Sequence, residues 1–161
     1  ECLRAALGDI EEVLDPDHPL NFQARHDLAE ALREQGKRTE AEAESQQALE
    51  GRRRILGPGH ANTLIVLDQF ALLLCLRGEV ERAAVEYARG LEDMRRFPEA
   101  ERRYQLTFLD KLASCWIRLE RWTEAAGVLE AILSHPEADE HAREDARRRL
   151  TDVRARQAAP R

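Results

Sequence analysis

The chain has 161 residues, of which 43% are hydrophobic and 35% are charged, and its formal net charge is −6. This composition allows one domain with a packed core, and the acidic balance excludes an overall attraction to nucleic acid or to an anionic membrane surface. The three cysteines form neither a paired disulfide framework nor a C-x-x-C motif, which favours a reducing compartment, and we expect the cytoplasm.

Residues 1–14 are predicted to be the end of a helix whose beginning lies upstream. Leu7 occupies the position of Leu49 in a later segment, and Val13 occupies that of Ile55. Because the chain opens at Glu1 inside an amphipathic pattern, we expect an excised piece with a truncated upstream repeat.

Residues 15–56 are predicted to form a first repeat of two helices. The first helix runs from about Pro19 to Gln35 and stops at Gly36, where glycine readily adopts a positive φ. The second helix runs from about Arg38 to Leu56. The apolar residues that recur at helical spacing are Leu28, Ala29, Leu32, Ala41, Ala48 and Leu49.

Residues 57–98 repeat this pattern without a gap, at a constant offset of 42 residues. The match includes the turn between repeats as well as the apolar columns, so a structural unit has been duplicated. The paired residues are Leu14 and Leu56, Pro16 and Pro58, His18 and His60, Ala29 and Ala71, Gly36 and Gly78, Ala41 and Ala83, and Leu49 and Leu91.

Residues 99–136 form a weaker third copy, and residues 137–161 are predicted to be a C-terminal capping helix with a tail. In the third copy, Glu120 stands where the first two copies have glycine. The apolar stripe predicted for the capping helix consists of Ala142, Ala146, Leu150 and Val153.

The histidines have two interpretations, structural and metal-binding. His18 and His60 lie in the turns between repeats, where an imidazole can bind backbone groups at the start of a helix. A second group, His135, Glu137, Asp139 and His141, has the residue types of a metal site. Because Pro136 breaks the helix there and the acidic residues suit a helix start, we expect neither a metal nor a cofactor.

The stretches LGPGHANTL, LDPDHPLNF and DLAEALREQGKRTEAEAESQQALE resemble the tetratricopeptide repeat family, in its 42-residue form found in kinesin light chains and many bacterial proteins. The family columns correspond to Leu28-Ala29, Leu32, Gly36 and Ala41. The resemblance implies an all-α fold, a right-handed α-solenoid of antiparallel helix pairs. It also implies a concave groove, lined by the first helices, that binds peptides or protein segments.

The groove implied by this resemblance is apolar in its middle and polar at its ends, which suits a short segment with a hydrophobic anchor. The residues that match the groove positions are Gln23, His26, Asp27, Glu30, Arg33 and Glu34 in the first repeat, Ile65, Asp68, Gln69, Leu72, Cys75 and Leu76 in the second, and Thr107, Asp110, Lys111, Ser114, Ile117 and Arg118 in the third.

No Ser-His-Asp, Cys-His or paired-carboxylate pattern recurs on a pocket-forming element, so we do not expect an enzyme. The leading hypothesis is a non-catalytic module that binds a protein or peptide partner, as the sensor or scaffold of a larger bacterial regulatory or signalling protein. An alternative is a module for homo-oligomerisation through the truncated N-terminal repeat.

Two arginine-rich segments, Arg52–Arg54 and Arg143–Arg156, are interpreted as solvated helix faces. The alternative for these segments is a basic patch that recognises an acidic partner or nucleic acid. Interleaved aromatic residues, which would stack on bases, are missing from both. The sequence therefore favours a protein partner, without nucleic acid and without a membrane.

Overall fold

The computed structural model describes residues 2–14, 18–97 and 103–158, and within these ranges its regular secondary structure is entirely α-helical. The chain groups into two compact units, Glu1–Gly78 (unit one) and Glu79–Arg161 (unit two). The predicted all-α fold is confirmed. The helices are α1 (Cys2–Val13), α2 (Pro19–Glu34), α3 (Arg38–Leu56), α4 (Ala61–Leu76), α5 (Val80–Arg96), α6 (Arg103–Arg118), α7 (Trp122–Ser134) and α8 (Glu140–Ala158).

Unit one is built around the helix pair α2 and α3, whose bounds agree with the prediction to within one residue. Leu28 and Leu32 of α2 cluster with Ala41 of α3 and Leu73 of α4, and Leu7 of α1 joins them. Ala41 and Ala48 have no exposed surface, because small side chains on α3 let the neighbouring helices approach closely.

The closest approach in unit one lies between Phe22 of α2 and Gly51 of α3. The Phe22 ring lies directly on the glycine backbone, and a Cβ atom added at Gly51 would sit 2.0 Å from Cε1 of that ring. Phe22 is only 6% exposed, so any movement of the ring disturbs its packing. Glycine is required here by the space that the neighbouring ring occupies.

The turn inside each helix pair contains one residue in the left-handed conformation. Gly36 and Gly78 have φ values of 75° and 85°, and Glu120 has a φ of 56° at the same position of the third copy. The backbone bonds also match, since Lys37 N donates to Leu32 O and Arg121 N donates to Trp116 O, both at 2.9 Å. The third copy thus keeps the turn without its glycine.

Replacing Glu120 with glycine should therefore stabilise the protein. A side chain in the left-handed region costs about 1 kcal/mol or slightly more, and a Glu120→Gly variant removes that cost without losing a backbone bond. We expect the free energy of unfolding to rise by about 0.5–1 kcal/mol in urea denaturation. Gly36→Ala is the matched control and should lower it. An unchanged or lower stability for Glu120→Gly would contradict this explanation of the turn.

Unit two has its own core, to which its last helix contributes. Ala146, Leu150 and Val153 of α8 are buried against Leu129 and Ile132 of α7. The apolar stripe predicted for this helix is thus its buried face, apart from Ala142, which is half-buried. A second contact joins α5 to α6, where the rings of Tyr87 and Phe108 meet edge to face with centroids 5.4 Å apart.

Of the helices in the described ranges, none combines the length and the apolar character needed to span a bilayer.

Candidate functional site

Histidine ends the turns that lead into α2 and α4. Nδ1 of His18 accepts a hydrogen bond from Leu20 N at 3.2 Å, and Nδ1 of His60 accepts one from Asn62 N at 3.1 Å. Both residues have extended backbone and act as N-caps. The predicted structural role of the two histidines is confirmed.

His135 makes the same contact, although no capping role was predicted for it. Its Nδ1 accepts from Glu137 N at 3.2 Å, and its Nε2 lies 3.3 Å from Gln105 Oε1. The sequence feature that indicates this contact is the His-Pro dipeptide, which residues 135–136 share with residues 18–19. In the described part of the chain, no three histidine, cysteine or acidic side chains group closely enough to hold a metal ion.

The outward face of α4 is mostly apolar. Ile65, Gln69, Leu72 and Leu76 recur at positions i, i+4, i+7 and i+11, so they share one stripe of the helix. Ile65 is 36% exposed and Leu76 is 43% exposed. Leu72, Gln69 and the flanking predicted residues Asp68 and Cys75 are half-buried.

The corresponding face of α2 is acidic. Gln23, Asp27, Glu30 and Glu34 precede the α4 stripe by one repeat, and all four are exposed. Gln23 Nε2 donates to Asp27 Oδ1 at 2.7 Å, and Arg33 lies 3.9 Å from the Glu30 carboxylate. The two stripes thus differ in chemistry although they occupy the same repeat columns.

The α2 and α4 stripes are neighbours in unit one. Glu30, His26 and Arg33 of α2 line a small cavity together with Gln69 of α4. Burial lowers the pKa of His26, and the positive charge of Arg52 lowers it further, so His26 is neutral at neutral pH. We call the combined surface the unit-one face; it consists of Gln23, Asp27, Glu30 and Glu34 of α2 and Ile65, Gln69, Leu72 and Leu76 of α4.

The C-terminal end of α4 is anchored to α3, which holds the unit-one face in place. Arg38 Nη1 donates to the carbonyl of Leu76 at 3.0 Å. Arg77, just after α4, forms an ion pair with Glu42 at 2.5 Å. The exposed Leu76 side chain therefore belongs to an ordered helix end.

The predicted residues of α6 have a different environment, because α8 packs beside them. Arg149 of α8 contacts Asp110 at 2.5 Å and donates to Ser114 Oγ at 3.0 Å. Asp110 and Ser114 thus hold the last helix of unit two. Among the other predicted residues, Thr107 and Arg118 are exposed, Lys111 lies over the Tyr87 ring, and Ile117 packs against the core of unit two.

Arg52 departs from its predicted location. It was expected on a solvated face, but it is only 7% exposed. Its Nη1 donates to Asn62 O at 3.1 Å and its Nη2 donates to Gln23 Oε1 at 2.6 Å, which draws the guanidinium beneath the beginnings of α2 and α4. The sequence indicates that this position is buried, because the same repeat column holds Ile10 in the upstream copy and Met94 in the second copy.

Comparison with known proteins agrees with the repeat structure. The sequence profile of the tetratricopeptide repeat matches residues 22–96. These residues are tetratricopeptide repeats. They contain α3, α4 and α5 and all but the first three residues of α2, and the tetratricopeptide segment therefore includes the whole unit-one face. No curated protein sequence matches the chain significantly.

Solved structures with the tetratricopeptide fold resemble the whole chain. A Podosopora anserina protein with nearly identical TPR-like repeats of the kinesin light chain type is 21% identical, with a TM-score of 0.70, over 97% of this chain and 84% of that chain. A point variant of it is 23% identical, with a TM-score of 0.69 and the same coverage. BtubC (BKLC) from P. vanneervenii is 19% identical, with a TM-score of 0.69, over 99% of this chain and 58% of that chain.

These similarities confirm the predicted fold class, an α-solenoid of antiparallel helix pairs. In tetratricopeptide terms, α2 and α4 are the first helices of their repeats, and α3 and α5 are the second helices. Tetratricopeptide repeats in general mediate interactions between proteins. The residues of the unit-one face lie on α2 and α4, which are first helices.

Proposed function

We propose that the chain is a non-catalytic protein-interaction module and that its unit-one face binds a segment of a partner protein. The observation that carries this proposal is the apolar stripe of α4 beside the acidic stripe of α2. An exposed apolar surface next to ordered charged groups is typical of interaction sites. The further expectation, a bacterial regulatory or signalling protein in the cytoplasm, comes from the resemblance and the cysteine content.

The chemistry of the unit-one face defines the partner segment. Full burial of an aliphatic side chain provides about 1.5–3 kcal/mol, and because Ile65 and Leu76 are 36% and 43% exposed, covering each with an apolar side chain of the partner recovers less than half of that. Asp27, Glu30 and Glu34 favour lysine or arginine on the side of the segment that faces α2. We therefore expect a segment with an apolar anchor flanked by basic residues.

Peptide display against the full chain tests this partner chemistry. We expect the selected peptides to contain an apolar residue close to lysine or arginine. Their affinity should fall as salt rises from low to physiological concentration, because exposed charges are screened. Selection of acidic peptides, or of no common pattern, would contradict the proposed site.

A double variant, Leu72→Glu with Leu76→Glu, tests the location of the binding face. It places two carboxylates on the apolar stripe and should weaken binding of the selected peptides at least about tenfold, as loss of a central anchor does. Val85→Glu is the matched control, since Val85 is 56% exposed on α5 outside this face. Its affinity should equal that of the wild type in fluorescence anisotropy.

Folding of the double variant is checked by circular dichroism and thermal unfolding. Because Leu72 is half-buried, a second pair, Ile65→Glu with Leu76→Glu, changes only exposed positions. If a folded double variant binds the selected peptides as tightly as the wild type does, the unit-one face is not the binding site.

A further inference from the structure

A cavity of about 230 Å³ lies in unit one where the beginnings of α2 and α4 meet the end of α3. It is apart from the α4 stripe and shares only Gln23 with the unit-one face. Its apolar wall includes Leu20, Phe22, Ile55 and Leu56. Leu20 is 53% exposed, Ile55 is 38% exposed and Leu56 is 36% exposed, although all three are large aliphatic residues.

The size and lining of the cavity suit an alkyl group. An enclosed apolar cavity of about 150 Å³ is large enough to bind benzene, so the volume here is sufficient for a short alkyl chain. An alkyl chain in this cavity would cover Leu20, Ile55 and Leu56, and each methylene group that it buries contributes about 0.8 kcal/mol. The apolar wall of the cavity thus favours a ligand with an alkyl chain.

A buried cation forms the polar wall of the same cavity. The guanidinium of Arg52 has five N–H donors, and its acceptors in the described part of the chain are two neutral oxygens, Asn62 O and Gln23 Oε1. No carboxylate in the described residues lies within ion-pair distance of it. Burial lowers the pKa of Arg52 and the charge of Asp27 opposes that shift, but arginine stays protonated at any physiological pH.

The helix ends add to this positive potential. Leu20 and Asn62, which line the cavity, lie in the first turns of α2 and α4. The positive ends of two helix dipoles therefore point toward the region that also holds the Arg52 guanidinium. Arg52 and the N-terminal ends of α2 and α4 therefore all favour a negative charge in the cavity.

We propose that this cavity binds an aliphatic monocarboxylate, with the alkyl chain against Leu20, Ile55 and Leu56 and the carboxylate on Arg52. The charge of the ligand neutralises a buried cation, and the alkyl chain covers exposed leucine and isoleucine surface. The volume of about 230 Å³ lies below the range of about 300–1,000 Å³ that is usual for pockets of drug-sized ligands, which favours a small acid over a length of polypeptide.

Isothermal titration calorimetry of the full chain with three eight-carbon probes tests the proposal. Octanoate should bind at least about tenfold more tightly than 1-octanol, because a hydrogen-bonded charge pair is worth more than a neutral contact. Octylammonium should bind more weakly than either. Equal affinities for octanoate and octanol, or no binding of octanoate, would overturn the proposal.

Two variants locate the carboxylate. Arg52→Gln should abolish the preference for octanoate over octanol, whereas Arg54→Gln, an exposed neighbour on the same helix, should retain it. If Arg52→Gln does not fold, Leu20→Asp replaces it. Both ligands lose the Leu20 contact in this variant, but only octanoate is repelled by the new carboxylate, so octanoate affinity should fall about tenfold more than octanol affinity. Unchanged octanoate binding in folded Arg52→Gln, or in folded Leu20→Asp, overturns the assignment.

A fourth probe separates a small acid from a polypeptide C-terminus. N-acetyl-leucyl-leucine carries the same combination of an aliphatic group and a carboxylate on a peptide backbone. Octanoate binding that exceeds binding of this dipeptide supports the small-acid site. Binding of the dipeptide without binding of octanoate overturns it in favour of a C-terminal segment of a protein.

Discussion

Replacing Gly51 with alanine is expected to destabilise unit one by about 3 kcal/mol, at the upper end of the usual cost of overpacking. The new methyl group would sit 2.0 Å from Cε1 and 2.3 Å from Cδ1 of the Phe22 ring. Both distances are far shorter than a van der Waals contact, so the ring or the helix must move. The ring also borders the cavity at the beginnings of α2 and α4, but moving into it would give up the packing of the ring at the α2–α3 interface, which makes that movement costly.

A glycine in an open environment provides the control for Gly51→Ala. Gly127 lies inside α7, and a Cβ added there meets no atom within 4 Å. Gly127→Ala should therefore raise the free energy of unfolding by about 0.5–1 kcal/mol, because alanine favours the helix. Urea denaturation followed by circular dichroism measures both variants. Equal behaviour of the two would show that the Phe22 contact is not the cause.

A second substitution should relieve the clash. The second repeat has Leu64 in the column of Phe22, and leucine lacks the ring atoms that meet the new methyl group. We expect Phe22→Leu combined with Gly51→Ala to be more stable than the sum of the single effects predicts, by about 1 kcal/mol or more. Strict additivity in this double-mutant cycle would mean that the two side chains do not interact.

The sequence predicted those features of the fold that depend on local signals. The bounds of α2 and α3 followed from Pro19, Gly36 and the apolar period, and the capping by His18 and His60 followed from their place in the repeated turn. In each case the residues that determine the structure are close together in the chain. The 42-residue repeat then extended each local conclusion from one copy to the next.

Contacts between distant residues could not be predicted in this way. The Phe22–Gly51 contact and the Arg149–Asp110 ion pair join residues that are remote in sequence, and neither residue type alone indicates its partner. Arg52 is intermediate, because its column is otherwise apolar but its neighbours suggested a solvated arginine run. The surroundings of the predicted groove residues on α6 also depend on a distant contact, because Asp110 and Ser114 bind Arg149 of α8.

Replacing Leu150 with aspartate should detach α8 from unit two. Leu150 is 6% exposed and packs with Val153 against a core that includes Leu129 and Ile132. The variant loses the apolar burial and places an unpaired carboxylate there, at an expected cost of about 4 kcal/mol. Thr151→Asp is the control, because Thr151 is exposed on the same helix and should change stability by about 0.5 kcal/mol at most.

Hydrogen exchange measured by mass spectrometry distinguishes local from global loss of structure in Leu150→Asp. If α8 is the cap of unit two, exchange should become fast in residues 140–158 first, and next in α7, whose apolar face loses its cover. A hydrophobic dye should bind to the uncovered surface around Leu129 and Ile132, because these residues are buried beneath α8 in the wild type. Slow exchange throughout α8 in the variant would mean that Arg149, through Asp110 and Ser114, holds the helix in place without the apolar contacts.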